Sequence, residues 1–197
     1  MNILLATMNE HKTKEIARIV PRIPFTSVRE YTSEWDVEED GDTFEKNALK
    51  KARVSSLHFG IYAVADDSGL EIKQLDNFPG VRSSRFMEGM AYKDRMEKIL
   101  DMMKAYKSAG ERYAQFRTVA IFYDPLEDKT IQAEGIVRGQ ISGGIYGEGG
   151  FGYDPIFIPE GFEKTFGELP DTVKNTFSHR ARAFKSLEER LKEEGYL

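Results

Sequence analysis

The sequence predicts a mixed α/β fold carrying a long β-ribbon. Strand-length apolar runs alternate with stretches of helical period along the chain. Two long strand-like segments flank a "PLED" turn, and neither an internal repeat nor a low-complexity tract interrupts the pattern.

Taken in order, "NILLA" (2–6) reads as a first strand and "HKTKEIARIV" (11–20) as a helix that Pro21 ends. A short strand near 25–29 precedes the acidic loop "WDVEEDGD" (35–42). "TFEKNALKKARVSSLHFG" (43–60) is helical: Phe44, Ala48, Ala52, Ser55 and Phe59 fall on one face, and Gly60 is a natural stop. "IYAVA" (61–65) is a continuous apolar run of strand length, and "LEIKQL" (70–75) resumes as a second strand. "PGVRSSRF" (79–86) is loop, and residues 92–106 form a helix with Met96, Ile99, Leu100, Met103 and Tyr106 inward. "YAQFRTVAIFYD" and "KTIQAEGIVRGQI" read as an antiparallel hairpin. A glycine-rich loop (143–152) leads into "YDPIFIP", and Ser178 to Glu194 is a terminal helix.

Composition narrows the function classes. A chain of 197 residues has a one-domain length, with room for two lobes and a sizeable core. Without cysteine there is no disulfide, thiolate catalysis or cysteine-held zinc, and three scattered histidines argue against a histidine-built zinc site. A net charge of −5 gives no basic footprint for nucleic acid. No apolar run approaches the roughly 18 residues of a spanning helix, and no signal peptide opens the chain, so no membrane role and a cytoplasmic location are expected.

The stretch "YAVADDSGLEI" places Asp66 and Asp67 side by side at the end of an apolar run. Like charges in a partly desolvated place oppose each other's ionisation, and a cation or a proton relieves that cost. The acidic loop, with Asp36, Glu38, Glu39, Asp40 and Asp42, is either a solvated face or the second arm of a magnesium site. Mg²⁺ takes hard oxygen ligands, typically one or two carboxylates with waters and substrate phosphates. In the turn "ATMNEHK", Thr7 and Asn9 can cap the following helix, whose N–H groups then form an anion site or are simply capped. Lys12 lies on the edge of the inward stripe of its helix, and Lys51 points almost the same way as Phe44. Two inward-leaning lysines near strand ends in an acidic protein read as a clamp for polyphosphate, although snorkelling is the common alternative.

Two motif matches fail. "GEGGFG" (147–152) fits G-x-G-x-x-G, but Pro155 blocks the helix a dinucleotide site requires there. The G-x-x-x-x-G-K-[ST] pattern of a P-loop is missing from the sequence, and the adjacent aspartates do not match the Asp-x-Asp of aspartyl-phosphate phosphatases. Nearer the C-terminus, Phe151 and Tyr153 beside flexible glycines offer a wall for a planar base, or core aromatics at a strand start. Ser178 caps the last helix, with His179 and Arg180 in its first turn. Arg180 heads the apolar stripe of Phe184, Leu187 and Leu191, so it needs an acceptor, either a base carbonyl or a carboxylate.

The ordered set "TMNEHK", "EEDGDTFEKNALKKAR", "ADDSGLEI", "PGVRSSRF", "GGFGYDPIF" and "SHRARA" resembles the inosine triphosphate pyrophosphatase family, from residue 6 to about 184. These enzymes remove non-standard purine nucleoside triphosphates from the nucleotide pool. The resemblance implies one pyrophosphatase domain over residues 1–197, an elongated mixed sheet with flanking helices, and two lobes around a central cleft. It also implies a homodimer, Mg²⁺ dependence, and cleavage of inosine, deoxyinosine or xanthosine triphosphate to monophosphate and pyrophosphate. By position, Thr7, Met8, Asn9, Glu10, His11, Lys12, Lys51 and Ser68 would bind the triphosphate. Glu39 and Asp67, with Asp66 beside it, would hold the metal, and Asp67 would take the water's proton. Phe151, Gly152, Tyr153, Asp154, Lys174, His179 and Arg180 would form the base pocket. Met8 departs from the small residue usual in the family. The alternatives are a Maf-like nucleotide pyrophosphatase, from which the "SHR" helix start points away, a phosphomonoesterase, and a nucleotide-binding module without turnover.

Overall fold

The computed structural model describes residues 2–197 and shows the mixed α/β architecture that the alternation predicts. The strands are β1 (Ile3–Leu5), β2 (Phe25–Ser27), β3 (Ala63–Ile72), β4 (Phe78–Pro79), β5 (Tyr113–Asp124), β6 (Lys129–Ile141) and β7 (Phe157–Pro159). The helices are α1 (Glu10–Ile19), α2 (Phe44–Phe59), α3 (Tyr92–Met102), α4 (Asp171–Phe177) and α5 (His179–Glu193). The seven strands follow the order β2-β1-β3-β5-β6-β7, with β4 also paired to β3. The pairs β1–β2 and β1–β3 are parallel, whereas β3–β4 and β6–β7 are antiparallel. Among the described residues, no helix is long and apolar enough to cross a membrane.

By its contacts the chain divides into two compact units. The first comprises residues up to Asp67 with 118–135 and 179–197, and the second comprises 68–117 and 136–178. In the first unit, α1 and α5 bury Ile16, Ile19, Phe184, Leu187 and Leu191 with Ile3, Leu5, Val64, Phe122 and Ile131 of the strands. Its helices begin and end where local chemistry directs. The Asn9 side chain caps α1 by accepting from Lys12 N, Thr43 caps α2 by accepting from Lys46 N, and Gly60 closes α2 in the left-handed region at φ 68. Helix α5 starts pressed against β6: a Cβ on Gly135 would lie 2.0 Å from the His179 carbonyl oxygen and 2.5 Å from Ala183 N, so only glycine permits this approach. The second unit packs Met96 and Ile99 of α3, and Met103 just after it, with Leu70, Ile72, Phe116, Val137, Ile156, Phe157 and Phe166.

Several elements differ from the sequence reading: the strand expected near 25–29 ends at Ser27, and the helix expected over 92–106 ends at Met102. The apolar run and the "LEI" that opens "LEIKQL" form one ten-residue strand, β3, which passes through Asp66, Asp67, Ser68 and Gly69 without a turn, whereas Lys73–Leu75 form a 3-10 turn. Ser-Gly reads as a breaker, but continuous pairing inside a sheet overrides that local preference. Helix α4 was not expected. Its seven residues, "DTVKNTF", are too few to display an apolar period.

Candidate active site

The aspartate pair sits in mid-strand, and this position explains why two like charges can be neighbours. Successive side chains of a strand point to opposite faces, and here the two carboxylates meet different helices. Asp66 faces α1 and α5: its Oδ2 lies 3.1 Å from Lys12 Nζ and 3.6 Å from Arg180 Nε. Arg180 Nη1 in turn donates to Glu15 Oε2 at 2.6 Å. Asp67 meets α2, where Asn47 Nδ2 donates to its Oδ2 at 2.9 Å. Lys51, one turn further along α2, donates to Glu39 Oε1 at 2.5 Å and to the Asp66 carbonyl oxygen at 2.6 Å. Both inward-leaning lysines therefore reach the aspartate segment, as their stripe positions predict.

Burial and charge act in opposite senses on these groups. Burial is the largest influence on Asp67 and pushes its carboxyl pKa up; nearby Glu39 pushes the same way, against Lys51, Lys12 and the Asn47 bond. Burial also dominates at Lys12 and lowers its pKa, with Lys51 and Arg180 adding to the effect and Asp66 opposing it. Lys51 is desolvated too, yet Asp67, Glu39 and Asp66 together raise its pKa, so it stays charged. Glu39 and Asp67 supply hard anionic oxygens under like-charge pressure, a donor set that fits Mg²⁺. No group of three metal-ligating side chains occurs among the described residues, so such an ion would take its remaining ligands from waters and phosphate.

The turn before α1 is braced from within. Thr7 Oγ1 accepts from Asn9 N, and Arg29 donates from Nη1 to the Met8 carbonyl and pairs with Glu10 through Nη2. Met8 keeps a negative φ, and its side chain packs with Leu4, Val28 and Ala63, so the larger residue fits this turn without backbone strain. His11 is exposed.

In the second unit, Lys174 Nζ lies 2.7 Å from Asp154 Oδ2, and both side chains are buried. That same Oδ2 accepts from Phe151 N at 2.8 Å, while the Lys174 ammonium stands 5.2 Å from the centre of the Phe151 ring. Gly150 makes this possible: at φ +70, a Cβ there would lie 2.1 Å from Asp154 Oδ2. Phe151 and Gly152 are half-buried. Tyr153 is a core residue, its hydroxyl donating to the Ser83 carbonyl at 2.9 Å. Ser68 is half-buried on β3.

The profile of the Ham1 family matches residues 3–190. This chain belongs to the Ham1 family. Among its relatives, the dITP/XTP pyrophosphatase of Elusimicrobium minutum is 42% identical over 199 residues, covering 98% of this chain and all of the relative. The dITP/XTP pyrophosphatase of Flavobacterium johnsoniae is 40% identical over 189 residues, covering 95% of this chain and 96% of the relative. The Ham1 protein of Coxiella burnetii superposes with a TM-score of 0.88 at 36% identity, over 98% of this chain and 99% of that one. The fold and the family read from the ordered motifs are thus both shown.

Glu15 and Asn47 were not singled out in the sequence, although both carried a signal. Glu15 stands three residues after Lys12 and beside Ile16, on the inward stripe of α1. Asn47 stands three residues after Phe44, on the buried face of α2. A polar residue at a core position of a helix needs partners, and here those partners are Arg180 and Asp67.

Proposed function

We propose that this Ham1 chain is a Mg²⁺-dependent, cytoplasmic, homodimeric enzyme. It hydrolyses inosine, deoxyinosine and xanthosine triphosphates to the monophosphate and pyrophosphate. The observation that carries this reading is the charge cluster in which half-buried Lys12, Lys51 and Glu39 meet the buried pair Asp66 and Asp67. The names of its relatives, dITP/XTP pyrophosphatases, support the substrate class.

The chain's own groups divide the work. Lys51, kept charged by its three acidic neighbours, and Lys12 bind phosphate oxygens, helped by the turn from Thr7 to His11 and by Ser68. Asp67 accepts the proton of the attacking water at its carboxylate, a role suited to a group whose basicity burial has raised. Glu39 and Asp67 would hold Mg²⁺, which when bound neutralises charge developing on the phosphate oxygens. Asp66 serves the cations on its own face of the strand, Lys12 and Arg180. Phe151 offers a ring face to a planar base, with Lys174 and Asp154 fixing its loop and with Gly152 and His179 contributing to base recognition, while Tyr153 belongs to the core that supports this segment.

A panel of purine triphosphates tests the reading: inosine, deoxyinosine and xanthosine triphosphates turn over, and adenosine triphosphate lags far behind. Equal rates across the panel would refute it. The metal assignment has its own test in Glu39→Gln, which exchanges a charged ligand for a neutral one. The Mg²⁺ concentration for half-maximal activity is expected to rise by about 10-fold or more. An unchanged titration would return the acidic loop to a solvated surface.

A further inference from the structure

Asn47 is fully buried in the first turns of α2, among Phe44, Ala48 and Lys51. Asparagine is a mediocre helix former, and a buried amide must find both donors and acceptors. Its two ends reach different parts of the chain. Oδ1 accepts from the backbone N–H of Gly41 at 2.8 Å, and Nδ2 donates to Asp67 Oδ2 at 2.9 Å. The opposite rotation of the amide would set oxygen against carboxylate and N–H against N–H, so the neighbours fix its orientation. The approach to Gly41 is close: a Cβ there would lie 2.6 Å from Asn47 Oδ1 and 2.9 Å from Lys46 Cβ.

We propose that Asn47 is a positioning residue for the reaction, orienting the Asp67 carboxylate while tying it to the loop that carries Glu39. This rests on the pyrophosphatase reading above. A carboxylate can turn about its last bond, and a base that turns loses its aim at the water. By occupying Oδ2, the amide fixes that rotation, and through Gly41 it fixes the loop two residues after Glu39. One side chain thus sets the distance between the two groups that the metal and the water must share.

Two variants separate orientation from simple tethering. Asn47→Asp keeps the shape and the acceptor for Gly41 but turns the donor toward Asp67 into an acceptor. Asn47→Ala removes both bonds. Activity on deoxyinosine triphosphate is measured at saturating Mg²⁺, with wild type in parallel and binding of the nucleotide followed by calorimetry. In Asn47→Asp, kcat is expected to fall about 10–100-fold, while KM and nucleotide affinity move by only a few-fold; the second buried carboxylate beside Asp67 lowers the thermal midpoint, and rates are compared below it. Asn47→Ala is expected to lose at least as much. An Asn47→Asp protein with wild-type kcat would make the residue a loop tether and overturn the inference, whether or not Asn47→Ala folds. A proportional loss of affinity and kcat would overturn it as well. If wild type itself releases no pyrophosphate, the pyrophosphatase reading falls, and this inference with it.

Discussion

Asp67→Asn is expected to reduce turnover by about 10²–10⁴-fold while nucleotide binding survives, since that is the usual worth of a positioned base. The substitution keeps the shape of the side chain and removes only the capacity to hold a proton. It should not destabilise the fold. Burial raises the Asp67 pKa, so the folded state binds that proton more tightly than the unfolded chain does, and ionisation costs stability. A neutral amide relieves this cost, and the thermal midpoint should hold or rise. For wild type, the sign of the pH effect follows. The base works ionised, so kcat/KM of the free enzyme should fall as pH drops through a pKa above the ordinary aspartate value of 3.8, and Asp67→Asn should lose that limb. A variant retaining more than about a tenth of the activity would exclude Asp67 as the base.

Arg180→Ala is expected to act first on stability. The sequence left two acceptors open for this arginine, a base carbonyl or a carboxylate, and the structure supplies two carboxylates, Glu15 and Asp66. Removing one member of a buried ion pair typically costs about 3–5 kcal/mol, because the remaining charge stays desolvated. Lys12 would then face Asp66 without the competing guanidinium, and its lowered pKa should rise toward normal. Chemical denaturation measures the first effect. Rates on inosine and adenosine triphosphates measure the consequence, and a parallel fall is expected from a counter-ion that organises Lys12 and Asp66. A fall confined to inosine triphosphate would show that Arg180 itself reads the base carbonyl.

Much of the fold was legible because its signals are local. The hairpin strands, 113–124 and 129–141, span the two segments that flank the "PLED" turn. Helices α1 and α2 start at the caps Asn9 and Thr43, which the sequence places before the apolar stripes. The continuity of β3 was not legible, since Ser68 and Gly69 look like a turn until neighbouring strands pair with them. Nor was the divergence of Asp66 and Asp67. Adjacent acidic residues suggest a shared ligand, whereas the pleat of an unbroken strand sends each to its own helix. The inward bearing of Lys12, Lys51 and Arg180 could be read from helical spacing, but their partners could not, because Glu15 meets Arg180 across 165 positions of chain. Tyr153 shows the same limit, since an aromatic at a strand start can be wall or core, and only its bond to Ser83 places it in the core.

Hydrolysis at the bond that releases pyrophosphate is read by phosphorus NMR of inosine triphosphate incubated with the protein and Mg²⁺. Inosine monophosphate and pyrophosphate should appear together in equal amounts, and no diphosphate should accumulate on the way. Orthophosphate with inosine diphosphate would mark a terminal phosphatase, and an unchanged spectrum would mark a binding protein; either result would contradict the account.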